Sequence, residues 1–173
     1  MLGLITYIRS LEIGQRWEVD MNYPKHFCLV SGCGKDKIKL LSFDKALFDA
    51  GVANYNHVKI SSILPKGCLL EEKIAAAPGS IFHSAYATIS SNKTGLVSSA
   101  VAVGIPKGDK EIGVIMEYSC NSCKENSESI VRKMIERSME MRNIEIKTIE
   151  TTSIESNVEE GLFTSVFSGL VIW

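Results

Sequence analysis

Apolar residues along this chain gather in short blocks, each closed by glycine, proline, asparagine or serine, and most blocks are strand-like in length and rich in β-branched residues. Residues 27–30 read as a first strand, and the stretch from Gly32 to Lys37 as a loop. Ser42 fits an N-cap for a short helix over residues 43–50 that Gly51 stops. Phe43, Leu47 and Ala50 share one face of that helix, so it should lie on a sheet. A second strand over 54–59 leads into Ile60-Ser61-Ser62-Ile63-Leu64-Pro65. Pro78-Gly79 marks a turn, residues 81–90 a strand, and 91–95 a polar turn. Residues 96–105, small and β-branched, suit a buried strand, and 112–118 form another. The one long helix is predicted over 125–142, with Ile130, Val131, Met134, Ile135, Ser138 and Met141 on its apolar face. Strand character returns over 144–154 and 161–173. Many strands with two helices, each needing a sheet to cover, predict an α+β layered sandwich.

Length and charge narrow this picture only a little. A chain of 173 residues suits one well-buried domain, and 45% hydrophobic with 23% charged residues is ordinary globular composition. We therefore expect a single domain over 23–173, preceded by a poorly ordered extension over 1–22, with Met21 as an alternative start. A net charge of −1 gives no reason to expect nucleic acid or an anionic membrane as partner. The opening residues lack the basic lead and cleavage site of a signal peptide, and no stretch is long enough to span a bilayer, so a cytoplasmic location is expected. The five cysteines read as free thiols, and Cys120-Asn121-Ser122-Cys123 is the one CxxC. No histidine stands near enough in sequence to complete a zinc motif, so no metal is expected.

The candidate chemistry lies in Ser61-Ser62. Two serines at the end of an apolar strand, closed by proline, form a common junction, yet they also suit a backbone that cuts itself. If the Ser62 hydroxyl attacks the Ser61 carbonyl, an oxyanion develops on the Ser61 oxygen and needs a fixed donor. Asn56, six residues before Ser62 and on the same face of an extended segment, is a plausible one. The resulting ester can eliminate, because Ser62 carries a Cα proton and a carboxylate leaving group. Hydrolysis of the enamine then releases ammonia and leaves a pyruvoyl group on the new terminus. That carbonyl forms a Schiff base with a substrate amine and draws electrons from its Cα–carboxylate bond. After CO2 departs, a general acid must supply a proton. Glu117, the one carboxylate in an otherwise apolar strand, is the candidate, burial keeping it protonated. A glutamate at a strand end also serves as a simple solvated residue, and Asn56 as a turn former.

The segments at 42–51, 54–65, 102–107 and 113–118, together with Met141-Arg142, resemble the pyruvoyl-dependent arginine decarboxylases over about residue 27 to the C-terminus. The resemblance implies a four-layer αββα sandwich, self-cleaved into a β chain ending at Ser61 and an α chain beginning at Ser62. It implies that L-arginine becomes agmatine and CO2 on a covalent pyruvoyl group made from Ser62. By it, Asn56 assists processing, Glu117 donates the proton, Asp44 receives the substrate guanidinium and Leu40 lines the pocket beside it. It further implies a homotrimer with sites between subunits. A carboxylate suits a planar, permanently charged guanidinium, although Asp44 also stands where helices favour an acid. Three other readings remain open: decarboxylation of another basic amino acid, an N-terminal-nucleophile hydrolase with Ser62 as free terminal residue, and an uncleaved structural or regulatory homologue.

Overall fold

The computed structural model describes residues 23–173; the extension expected over 1–22 and the alternative start at Met21 lie outside the described residues. The strands are β1 (His26–Asp36), β2 (Asn56–Lys59), β3 (Ile63–Leu64), β4 (Leu69–Leu70), β5 (Ile81–Ser91), β6 (Gly95–Pro106), β7 (Gly113–Cys120), β8 (Ile146–Val158) and β9 (Phe163–Ile172). The helices are α1 (Lys39–Asp49), between β1 and β2, and α2 (Lys124–Glu140), between β7 and β8. They form two sheets, β2-β5-β9-β1-β4 and β3-β7-β6-β8.

Side-chain parity stacks four layers. In β6 and β7, Val101, Val103 and Ile115 turn inward and meet Phe27, Ala85 and Leu170 of the first sheet. Their neighbours Ala100, Ala102 and Val114 turn outward and meet Val131, Ile135 and Met139 of α2. Because β6 is covered on both faces, it carries the continuous run of small and β-branched residues seen in its sequence. On the other side α1 packs Ala46 against Cys28, Phe167 and Val171. The result is an αββα sandwich in a single α+β domain.

Two sequence expectations fail for the same physical reason. Gly32 and Gly34, read as a loop, lie inside β1, which runs on to Asp36. A Cβ at Gly32 would stand 2.3 Å from the Ala46 carbonyl oxygen, and one at Gly34 2.4 Å from that of Ser42. These glycines let α1 sit directly on the strand. The helix correspondingly begins a turn early, at Lys39. Ser42 is therefore inside it, fully buried, rather than its N-cap, and its hydroxyl pairs with Ser165 at 2.6 Å. Gly51, at φ +74, ends α1 as expected. In α2, Met141 is 81% exposed just past the last turn, and Met139 takes the core position.

Gly34→Ala should therefore lower stability by about 1–3 kcal/mol, because backbone rather than a pliable side chain meets the new methyl. Calorimetry on an uncut chain should show Tm falling by roughly 2–4 °C per kcal/mol.

Candidate active site

The two serines carry the chain from one sheet to the other. Strand β2 runs parallel to β5 in the first sheet, and Ile60 N still donates to the Ser84 carbonyl there at 3.1 Å. Two residues later the Ser62 carbonyl accepts from Ile115 N of the second sheet at 2.9 Å, and β3 continues that pairing against β7. The change of partner is compressed into Ser61 and Ser62. Ser62 consequently takes φ +63, one of two non-glycine residues in the left-handed region among the described residues. For an L residue other than glycine this stores about 1–3 kcal/mol, held in place by the pairing on either side. The strain sits on the residue whose N-terminal peptide bond the sequence singled out.

The Ser62 hydroxyl donates to Glu117 Oε2 at 3.0 Å. Glu117 lies on β7 opposite Val101 and shares the inward face with Ile115, which aims its carboxylate into the gap between the sheets. It is half-buried, not sealed in the apolar strand as the sequence suggested, because it stands where the inter-sheet core opens. Ser61 is exposed and borders a hollow of about 570 Å³ together with Ile60, Ile63, His83 and Ile172. A carboxylate bonded to a hydroxyl that neighbours a strained peptide, open to solvent on one side, can take the hydroxyl proton as the oxygen attacks.

The other candidate residues stand elsewhere in a single chain. Asn56 is exposed at the start of β2, where its Nδ2 donates to the Gly79 carbonyl at 2.8 Å. Leu40 and Asp44, one helical turn apart, are exposed on α1, on the outer face of the first sheet, and Leu40 is 72% exposed. The hollow beside Ser61 is lined by neither. Sequence reasoning passed over His57, which is fixed between the Ser84 hydroxyl at 2.8 Å and the Val52 carbonyl at 3.1 Å and so braces β2 just before the serines. Strand parity was the available signal, since it sets His57 and Lys59 on one face.

The thiols offer no competing nucleophile here. All five cysteines are free, and burial pushes Cys28 and Cys68 up to about 11. Cys68 Sγ, near the hollow, donates to the Pro24 carbonyl at 3.1 Å. Among the described residues no group of three or more His, Cys, Asp or Glu side chains is arranged to hold a metal ion, and no helix is long and apolar enough to cross a membrane.

A family model described as pyruvoyl-dependent arginine decarboxylase matches residues 26–173. The chain is 39% identical over 115 residues to a protein of Thermococcus kodakarensis named pyruvoyl-dependent arginine decarboxylase, covering 65% of this chain and 73% of the relative. A protein of the same name from Methanococcus aeolicus is 41% identical over 112 residues, covering 64% and 68% respectively. One from Methanocaldococcus jannaschii is 37% identical over 116 residues, with the same coverage.

Proposed function

Because this chain belongs to the pyruvoyl-dependent arginine decarboxylase family, we propose that it cuts itself between Ser61 and Ser62 and then converts L-arginine to agmatine and CO2. The observation that carries this reading is Ser62 itself, held at φ +63 with its hydroxyl on the Glu117 carboxylate.

The cleavage chemistry balances with one water consumed and one ammonia released. Glu117 accepts the Ser62 hydroxyl proton as the oxygen attacks the Ser61 carbonyl carbon, and the acyl group moves from nitrogen to oxygen. Loss of the Ser62 Cα proton then expels the Ser61 carboxylate and leaves an enamine. Water replaces its nitrogen, ammonia departs, and the carbonyl of a pyruvoyl group remains. Moving the chain off the left-handed backbone relieves strain as the peptide bond breaks. Asn56 is the donor we assign to the oxyanion on Ser61; within one chain the length of β2 separates the two, so the amide has to come from a neighbouring protomer.

The residues around position 62 fit the group so made: a half-buried carboxylate that faces the Ser62 side chain and is left beside its carbons once the hydroxyl oxygen departs with Ser61, and a backbone carbonyl pinned by Ile115 N. Once formed, the pyruvoyl carbonyl supplies an electron sink to which the substrate α-amino group is joined. Glu117, freed from the serine hydroxyl, holds the proton that the substrate Cα receives after CO2 leaves. Asp44 receives the guanidinium through paired, charge-assisted hydrogen bonds, with Leu40 packing beside it.

Those two side chains face solvent in a single chain, among the exposed apolar residues Ile38, Leu41 and Phe48. This apolar helix surface supports a homotrimer in which α1 of one protomer closes the site of the next. We expect Asp44→Asn to raise KM for arginine about 10–100-fold, the loss of one charged hydrogen-bond partner being worth about 1.5–3 kcal/mol. Steady-state comparison of arginine, lysine, ornithine and histidine tests the substrate. Arginine turned over no faster than the others would overturn the pocket assignment.

A further inference from the structure

Cleavage leaves a charge that the uncut chain does not carry. The Ser61 carbonyl becomes a carboxylate, while the nitrogen of Ser62 departs as ammonia and the new chain begins with a neutral keto group. One negative charge therefore appears beside the hollow at Ser61, without the compensating amine of an ordinary proteolytic cut. The hollow is largely apolar, with Ile60, Ile63, Pro65 and Ile172 in its wall. An unpaired carboxylate against such a surface is unfavourable.

One ionisable imidazole faces that position. His83 lies on β5 opposite Val58 of β2 and Ile172 of β9. Its neighbour Phe82, and Tyr86 further on, pack toward α1, so parity turns His83 to the inter-sheet side with Ala85. There it lines the same hollow as Ser61 and stays exposed. Its ring makes no hydrogen bond among the described residues, whereas His26 is held by Glu71 at 2.9 Å and His57 by Ser84 and Val52.

The other charged groups nearby are turned away or engaged. Lys59 of β2 reaches the opposite face, donating to the Tyr86 carbonyl at 3.1 Å and standing 4.6 Å over that ring. His57 faces the same way, and Glu117 of β7 is bonded to Ser62. Tyr23 is the one further titratable side chain in the wall of the hollow.

We propose that His83 is a positioning residue that captures the Ser61 carboxylate once the chain has been cut, pairing with it as imidazolium and holding the end of the β chain clear of the group made from Ser62. The proposal rests on the reading that cleavage occurs at Ser61. An opposite charge placed within a few ångströms favours the protonated ring, so its titration moves upward on cutting.

The test is an NMR pH titration of the histidine rings in the processed protein without arginine and in the uncut Ser62→Ala chain, with intact masses recorded for both. His83 is assigned by the signal lost in His83→Gln, or by elimination with His26→Gln and His57→Gln. The expected result is a midpoint for His83 about one pH unit higher in the processed protein, with His26 and His57 moving much less. Equal His83 midpoints in two samples whose masses confirm the cut would overturn the capture and leave the cleavage reading standing. A wild-type chain that stays whole would overturn both.

Discussion

Ser62→Ala should leave one unbroken chain without decarboxylase activity, whereas the unaltered chain should separate into residues 1–61 and 62–173. The second fragment should weigh one ammonia less than its sequence implies. The effect is all-or-none because the substitution removes the attacking oxygen and, with it, the leaving group whose elimination creates the electrophile. Intact-mass spectrometry reads both facts at once. N-terminal sequencing adds the distinction from a hydrolase: a blocked end supports pyruvoyl, a readable serine does not. Ser62→Gly should be equally uncut but roughly 1 kcal/mol more stable than Ser62→Ala, since glycine adopts φ +63 without strain. A Ser62→Ala chain that still falls into two pieces would sink the assignment of the nucleophile.

Glu117→Gln should slow self-cleavage and, in whatever fraction is processed, lower kcat about 10²–10⁴-fold, the usual contribution of a positioned acid or base. Glutamine keeps the volume and can still accept the Ser62 hydrogen bond seen at 3.0 Å, but it cannot take or return a proton. KM for arginine should change little, because the carboxylate faces the reacting atoms and not the guanidinium. Time courses of cleavage by mass, followed by turnover normalised to processed protein, separate the two roles. A variant that cuts and turns over at the normal rate would remove Glu117 from the chemistry.

The layered class was legible because short β-branched blocks and two amphipathic helices are written in local residue patterns. Gly32 and Gly34 misled for a definite reason: glycine marks both a loop and a strand under a closely packed helix backbone, and only the position of α1 separates the two. Ser42 misled similarly, because a hydroxyl that caps a helix and one that pairs with Ser165 across a buried contact look alike in sequence. At the site, the serine pair closing an apolar strand pointed to Ser62, and a lone carboxylate in an apolar strand to Glu117. Their meeting depends on a two-residue strand and on groups 55 positions apart, which no local pattern encodes. Leu40 and Asp44 stay outside the hollow of a single chain, and no local pattern in the order of residues relates them to it.

The passage of the chain between the sheets has a consequence for the history of each molecule. Residues ahead of the cut supply β1, which lies between β9 and β4, as well as α1 and β2. On the cut proposed between Ser61 and Ser62, the fragment that loses its covalent tie is thus woven into the interior of the first sheet. Folding would then have to come before scission, since the backbone geometry at Ser62 exists only when both sheets are in place. Afterwards the process would not run backward. A processed molecule that unfolds releases two separate solutes, and its recovery becomes a bimolecular encounter governed by dilution. Given that cut, possession of the cofactor would be a permanent record that this polypeptide once folded as a single piece.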